Sequence, residues 1–281
     1  MSLTGLKRAL PSPVRRFGRA AYELGRGSLL DAADWARGRR RPLTPPRRLL
    51  YLIGSGRMDF HGSGDLLREF LIQNGLEPDH RVLDVGCGLG RLGVALTPFL
   101  SARGGYDGFD IMPAVIGWCR QITAARPNFR FQLVDVRSDR YRRGGSGAAA
   151  AFRFPYADAS FDWVVLTSVF THLRPADMRN YLSETARVLK PSGRALLSYY
   201  LMSEARRTEL AKGLSTLTFA HRGEGFWAEL PELPEAAIAY DKAEVLGLIK
   251  GAGLELAARY DGQWASAPLH SQDVLIATRR R

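Results

Sequence analysis

Residues 82–93 read VLDVGCGLGRLG, an apolar, strand-like run that leads directly into four glycines. A buried strand that feeds a glycine-rich turn and then a helix is a ligand-binding unit, because bare backbone lets a ligand approach main-chain N–H groups closely. Two frames compete for the glycines. Gly88, Gly90 and Gly93 have the G-x-G-x-x-G spelling of a dinucleotide turn, which would imply an NAD(P)-dependent oxidoreductase. In the other frame Asp84 stands two residues before Gly86, Gly88 and Gly90. A buried acid there repels a pyrophosphate and suits an ammonium, so the residues favour an amino-acid-like zwitterion over a dinucleotide. No Gly-Lys-Ser/Thr closes the turn, which excludes a phosphate-binding P-loop.

Outward from this turn, strand-like and helix-like segments alternate. "GDLLREFLIQNGL" (64–76) puts Leu66, Leu67, Phe70 and Leu71 on one helical face and stops at Gly75. "GGYDGFDI" (104–111), "FRFQLVDV" (129–136), "FDWVVLTS" (161–168) and "GRALLSYYL" (193–201) read as strands two to five. "PAVIGWCRQITAA" and "PADMRNYLSETARVL" read as helices between them. "LELAARYDG" and "DVLIATRR" close the chain as an antiparallel pair. The fold class expected is therefore α/β: a doubly wound, mostly parallel, seven-stranded sheet with an antiparallel C-terminal strand pair and ligands beyond the carboxyl ends of the strands. "RRGGSGAAAA" (142–151) has no period and reads as a flexible loop. Residues 201–240 are too long for a simple connection and read as a lid or substrate-binding insertion.

Charge divides the chain at its N-terminal end. Of the net +12 of the 281 residues, +9 lies in residues 1–48, which hold twelve Lys/Arg against Glu23, Asp31 and Asp34. We therefore divide the sequence into a basic arm, residues 1–48, and a catalytic domain, residues 49–281. Val14, Phe17, Ala21 and Leu24 recur at helical spacing among arginines, a pattern suited to peripheral contact with an anionic membrane, with a solvated basic arm as the plainer alternative. Nucleic acid is not expected as a partner, since no aromatic motif interleaves the basic residues. Cys87 and Cys119 suggest no disulfide framework, no apolar run is long enough to span a bilayer, and the first 30 residues lack a secretory core. The expected location is cytoplasmic, held peripherally at the inner membrane face.

"VLDVGCGLGR", "GFDI", "FPYADASFDWVVLTSVFTHL" and "ETARVLKPSGRALLSYYL", in this order, resemble the class I S-adenosylmethionine-dependent methyltransferases of the small bacterial methyltransferase-domain type. The resemblance covers residues 76–200. It implies a Rossmann-like methyltransferase fold with S-adenosyl-L-methionine as cofactor and S-adenosyl-L-homocysteine as product. Asp84, Gly86, Gly88 and Gly90 would hold the methionine part, Asp110 the ribose hydroxyls, and Ile111 the adenine face. Asp135 with the Val136 backbone would meet the adenine edge, Asp139 being a second candidate, and Ser168 with Val169 would line the methionine end. Asp162 and the "LKPSG" turn read as structural.

Methyl transfer to a hydroxyl needs a proton acceptor. His172 in "VFTHL" follows the fourth strand and is the first candidate, the alternative being a packed histidine with a satisfied hydrogen bond. His61 with Asp59, His221, and His270 with Asp273 rank below it. No His/Cys/Asp cluster has metal-ligand spacing, so no metal is expected. Phe219, Phe226, Trp227, Tyr240, Tyr260 and Trp264 offer rings that would stack on a sugar or form a local core. The function expected is O-methylation of a small or glycosylated acceptor, lipid-linked acceptors included. A non-catalytic cofactor-binding scaffold is the alternative, and the oxidoreductase comes third.

Overall fold

The computed structural model describes residue 25 and residues 27–38, 42–53, 59–123, 126–265 and 271–280. The basic helix expected through Val14, Phe17, Ala21 and Leu24 lies outside the described residues, as does His270.

Eleven strands and seven labelled helices carry the described chain. Helix α1 (Arg47–Leu52) and helix α2 (Phe60–Gln73) precede strand β1 (Arg81–Val85). Helix α3 (Arg91–Leu96), β2 (Gly105–Asp110), α4 (Pro113–Thr123), β3 (Phe129–Leu133), β4 (Phe161–Leu166), α5 (Pro175–Val188) and β5 (Leu189–Tyr199) follow. Strands β10 (Leu254–Tyr260) and β11 (Asp273–Arg279) complete a seven-stranded sheet in the order β10-β11-β5-β4-β1-β2-β3. The β1, β2, β3, β4 and β5 pairings are parallel, and β11 runs antiparallel to both β5 and β10. Only β11 is therefore reversed against the rest of the sheet.

Strand alternation sends side chains to two apolar layers, so both faces must be covered. Leu83, Val85, Phe109, Val164 and Leu166 pack on one side with Tyr181 and Leu182 of α5. Val82, Tyr106, Trp163 and Val165 pack on the other with Leu71 of α2 and Ile116 of α4. Helix α2 begins four residues before the stretch read from sequence, where the Asp59 carboxylate accepts the Gly62 N–H at 3.0 Å. Its buried face runs through Gly64, Leu67 and Leu71, and Leu66, expected inside, is 70% exposed. Gly64 sets this rotation: a Cβ there would sit 2.9 Å from the Arg91 carbonyl oxygen of α3. "LKPSG" is a bulge within β5, between the pairings Phe161 to Leu189 and Trp163 to Arg194.

The stretch read as a flexible loop, 142–151, is held at both ends. Ser138 and Arg142 exchange both backbone bonds at 3.0 Å, Val136 bridges Gly147, and Asn180 Nδ2 donates to the carbonyls of Ala149 and Phe152. Its small residues serve close approach: a Cβ on Gly145 would stand 2.4 Å from the Val136 carbonyl oxygen.

Residues 201–240 form a second, four-stranded sheet. Strand β6 (Leu201–Met202), helix α6 (Glu204–Leu210), β7 (His221–Gly223), β8 (Phe226–Ala228) and β9 (Ile238–Asp241) build it in the order β6-β9-β8-β7, before helix α7 (Lys242–Gly251) returns to the main sheet. Phe219, Trp264 and Tyr200 form its core, with ring centroids 5.2 to 5.5 Å apart. Asp273 ties it to β11, accepting from Leu201 N, Gly262 N and Trp264 Nε1 at 2.9, 2.9 and 2.7 Å and pairing with Arg206 at 3.2 Å. Asp273 is thus a structural acceptor inside the fold. Residues 27–36 of the arm are helical and dock through Asp31 and Asp34, which pair with Arg47 at 3.0 and 2.6 Å. None of the described helices is long and apolar enough to cross a membrane.

Candidate active site

A cavity of about 670 Å³ opens beyond the carboxyl ends of β1, β2 and β4, within the roughly 300–1,000 Å³ range of small-molecule sites. The turn after β1 forms its floor. Gly86 has φ +67°, and a Cβ would stand 2.8 Å from Val169 Cγ2, so no other residue allows this close crossing of the β1 and β4 turns. Gly88 donates its N–H to Asp110 Oδ2 at 3.0 Å, which ties the turn to the end of β2, and Met112 N donates to Oδ1 at 2.9 Å. Each Asp110 oxygen keeps acceptor capacity toward the cavity it lines. Burial pushes this carboxyl up against the pull of those backbone donors.

Asp84 is the more unusual acid. It lines the cavity yet is only 3% exposed, and Tyr106 Oη donates to its Oδ2 at 2.6 Å. Burial pushes its pKa up to about 7, opposed by the Tyr106 hydrogen bond and the Arg91 charge and reinforced by Asp110. Gly90 does not line the cavity with the others. It caps α3 at φ +73°, and a Cβ there would meet Cys119 Sγ at 3.2 Å and Phe131 at 3.3 Å, so its smallness serves helix-to-strand packing.

Ile111 and Val136 line the cavity. Asp135, expected at the adenine edge, does not. Its carboxylate bonds Ser146 Oγ and pairs with Arg142 at 2.9 Å, because the Val136–Gly147 bridge turns alternate side chains to opposite sides and Val136 takes the inner one. Asp139 is likewise outside, paired with Arg137 and Arg174. Ser168 lines the cavity with φ +57°, a conformation that costs a non-glycine residue roughly 1–3 kcal/mol and clusters at functional sites. Ser198 and Gln272 hold it there: Ser168 N donates to Ser198 Oγ at 2.7 Å, Ser198 Oγ to Gln272 Oε1 at 2.6 Å, and Gln272 Nε2 to Ser168 Oγ at 3.0 Å.

His172 also lines the cavity. Its Nδ1 lies 2.9 Å from the Glu235 carbonyl oxygen, which only accepts, so Nδ1 carries the proton and Nε2 is the free base. Nε2 faces Tyr141 Oη at 3.4 Å. Burial, and then the Arg140 charge, lower the histidine to about 4, so the ring is neutral at pH 7. Glu235 itself latches the wall, its Oε2 accepting from Ser138 Oγ at 2.7 Å, Asp139 N at 2.8 Å and Arg140 N at 3.3 Å. The remaining basic candidates lie elsewhere. His61 Nε2 bonds Thr44 Oγ1 at 2.7 Å, Asp59 caps α2, and His221 is exposed on β7. Asp162 bonds Arg81 N and Lys190 at the strand starts. Among the described residues no group of three or more His, Cys, Asp or Glu is placed to hold a metal ion.

The residues that sequence reasoning missed are Tyr106, Arg91, Arg140, Tyr141, Glu235 and Gln272. Arg140 and Tyr141 sit in the same loop as Asp135, five or six positions on. Glu235 and Gln272 carry no local signal, since their hydrogen-bond partners lie 63 or more and 72 or more residues away.

The described cavity fits S-adenosylmethionine by the chemistry of its donors. A buried carboxylate with a raised pKa gains from a cofactor ammonium, and a second carboxylate beside an apolar Ile111 suits a ribose next to a base. The family described as "Methyltransferase domain" matches residues 83–197, which contain both carboxylates and His172. Residues 83–197 form a methyltransferase domain of the class I S-adenosylmethionine-dependent type. "Uncharacterized methyltransferase YcgJ" of Bacillus subtilis is 34% identical over 119 residues, 42% of this chain and 40% of that relative, so the match spans less than half of either protein. Among solved structures, a methyltransferase from Methanosarcina mazei aligns with TM-score 0.52 and 20% identity over 75% of this chain and 97% of its own. The [4+2]-cyclase SpnF aligns with TM-score 0.51 and 17% identity over 77% and 81%. At such identities the structures establish the methyltransferase fold, and the reaction must be argued from the site.

Proposed function

We propose that this chain transfers the methyl group of S-adenosylmethionine to a hydroxyl oxygen of a small acceptor, with His172 as the proton acceptor. The observation that carries this reading is the unprotonated Nε2 of His172, fixed by the Glu235 carbonyl on a wall of the same cavity that Asp84 and Asp110 line. S-adenosylmethionine supplies an electrophilic methyl group. Asp84 would hold the ammonium, Asp110 the ribose hydroxyls, and Ile111 the adenine face. The cavity walls would hold the acceptor oxygen in line, and such alignment supplies on the order of several kcal/mol of the barrier reduction. His172 then takes the hydroxyl proton at Nε2.

What supports a small acceptor over a glycosylated or lipid-linked one is the fate of the aromatic residues. Phe219 and Trp264 are spent in the core of the insertion, and Tyr260 packs against Phe70 on the outside of the sheet. The insertion reaches the cavity instead through Leu217, Ala236 and Ala237. For the arm, contact with an anionic membrane is supported by Trp35 and Leu29, 77% and 75% exposed on a helix that arginines follow in sequence.

Calorimetric titration with S-adenosylmethionine, S-adenosylhomocysteine and NADH tests the cofactor. Micromolar binding of the two adenosyl compounds without NADH is expected, and binding of NADH alone would overturn the assignment. His172→Gln should keep cofactor affinity and lose turnover on any hydroxylated acceptor found by mass-spectrometric screening. Retained turnover would return His172 to a packing role.

A further inference from the structure

The charged side chains that line the cavity sort into two groups. Asp84, Asp110 and Arg91 surround the glycine turn, where the Arg91 and Asp84 charges act on one another. Arg137 and Arg140 also line the cavity, with Arg140 close enough to His172 for its charge to act on the imidazole. Arg137 is paired with Asp139 at 3.4 Å. Arg140 has no carboxylate within ion-pair distance among the described residues. Its guanidinium donates to the Ala236 carbonyl oxygen at 2.5 Å and lies 5.0 Å above the Tyr141 ring. Glu235, the acid beside it in space, bonds only its backbone N–H and spends the rest of Oε2 on Ser138 and Asp139.

A half-buried guanidinium that lines a cavity without a counter-ion is costly unless the ligand brings one. The local fold keeps it there deliberately. The Ser138 hydroxyl accepts from Arg140 N and Tyr141 N at 3.3 and 3.2 Å, which folds 138–142 into a tight turn, and the Ala236 carbonyl holds one nitrogen. The remaining guanidinium donors suit a carboxylate or phosphate fork.

We propose that Arg140 is the specificity residue for the acceptor and binds an anionic group, a carboxylate or a phosphate, carried by the hydroxylated substrate. The inference rests on the methyltransferase reading of the cavity and narrows its acceptor class. It also gives the low basicity of His172 a purpose. Burial depresses this imidazole most, and the Arg140 charge lowers it further, beside Tyr141 and the Glu235 carbonyl. An acceptor anion on Arg140 cancels that field, so the base strengthens when the correct substrate is seated and stays weak when it is not.

The test follows the His172 imidazole by NMR in the full chain, with and without S-adenosylhomocysteine, during titration with inorganic phosphate and separately with acetate. In the wild type, one of the anions should raise the His172 pKa in a saturable manner, and whichever acts at lower concentration identifies the group. In Arg140→Gln, the pKa should start higher and no longer respond, while S-adenosylhomocysteine affinity stays within about twofold. An anion response equal in wild type and Arg140→Gln, or none in either, overturns the proposal. So does a tenfold loss of S-adenosylhomocysteine affinity in Arg140→Gln, which would assign the arginine to the cofactor's own carboxylate. Failure of S-adenosylhomocysteine to bind the wild type would instead refute the methyltransferase reading, and the anion titrations of the unloaded protein separate the two failures.

Discussion

Asp84 ties the cofactor to pH. Its carboxyl titrates near 7 instead of 3.8, because burial leaves the charged form with Tyr106 as its one hydrogen-bonding side chain and the Arg91 charge as partial compensation. At about 1.4 kcal/mol per unit, holding the charge in the unliganded protein costs about 4 kcal/mol. The sign follows from proton linkage. The folded state keeps a proton that the unfolded chain releases, so this group favours folding at low pH and loses that contribution as pH rises from about 4 to about 7. A cofactor ammonium requires the ionised form, so a proton competes with it. Binding of S-adenosylhomocysteine should weaken about 25-fold between pH 7.5 and 5.5, with a slope near one decade per pH unit at the acid end. His172, near 4, titrates below this window. Asp110 is also raised, and Asp84→Asn separates the two. That variant should bind the cofactor weakly with a flattened pH dependence, and should be more stable than the wild type at pH 7.5 by denaturant unfolding without ligand. A variant that keeps the acid limb, or is less stable at pH 7.5, would refute the reasoning.

Three further outcomes are expected. Asp110→Ala should weaken cofactor binding by about 1–3 kcal/mol in calorimetry through lost charge-assisted hydrogen bonds, and unchanged affinity in a folded variant would remove its ribose role. Glu235→Ala should cost about 2–4 kcal/mol by leaving Ser138 Oγ and the Asp139 N–H without their acceptor, with faster amide exchange across 138–142 and Glu235→Gln recovering part of the loss. Deleting residues 1–38 should abolish sedimentation with phosphatidylserine vesicles and spare S-adenosylhomocysteine binding, whereas equal sedimentation of both proteins would end the membrane reading.

The parts of the site legible in the sequence are those built by neighbours along the chain. The β1 turn is one: Asp84, Gly86 and Gly88 need only an extended strand and a left-handed turn to face a common ligand, and the residue types record both. Asp110 is another, since the end of a buried strand at a topological switch point has one place to go. Registers of a single residue were harder. A helix face rotated by Gly64 sends Leu66 outward, and a strand end that bridges Gly147 sends Val136 inward and Asp135 out. Composition misled at 142–151, where small residues mean close packing of main chain against main chain instead of mobility.

The surroundings of His172, itself a candidate from the sequence, were illegible for a different reason. They come from three separate segments, 138–141, 168–172 and 235–237, and Ser138 Oγ and His172 Nδ1 both find their partner on Glu235, far along the chain. A histidine on its own reads as ambiguous. With its Nδ1 proton held by the Glu235 carbonyl and Nε2 facing Tyr141 Oη on a cavity wall, it supports the proposed role as proton acceptor. The same turn of the insertion supplies that carbonyl, the carboxylate that folds the Arg140 loop, and the Ala236 carbonyl that holds the guanidinium. In the proposed mechanism, base orientation and acceptor recognition therefore both depend on residues 235 and 236. Sequence changes in this insertion should then move turnover and acceptor choice together while leaving cofactor affinity, assigned to the β1 and β2 carboxylates, where it is.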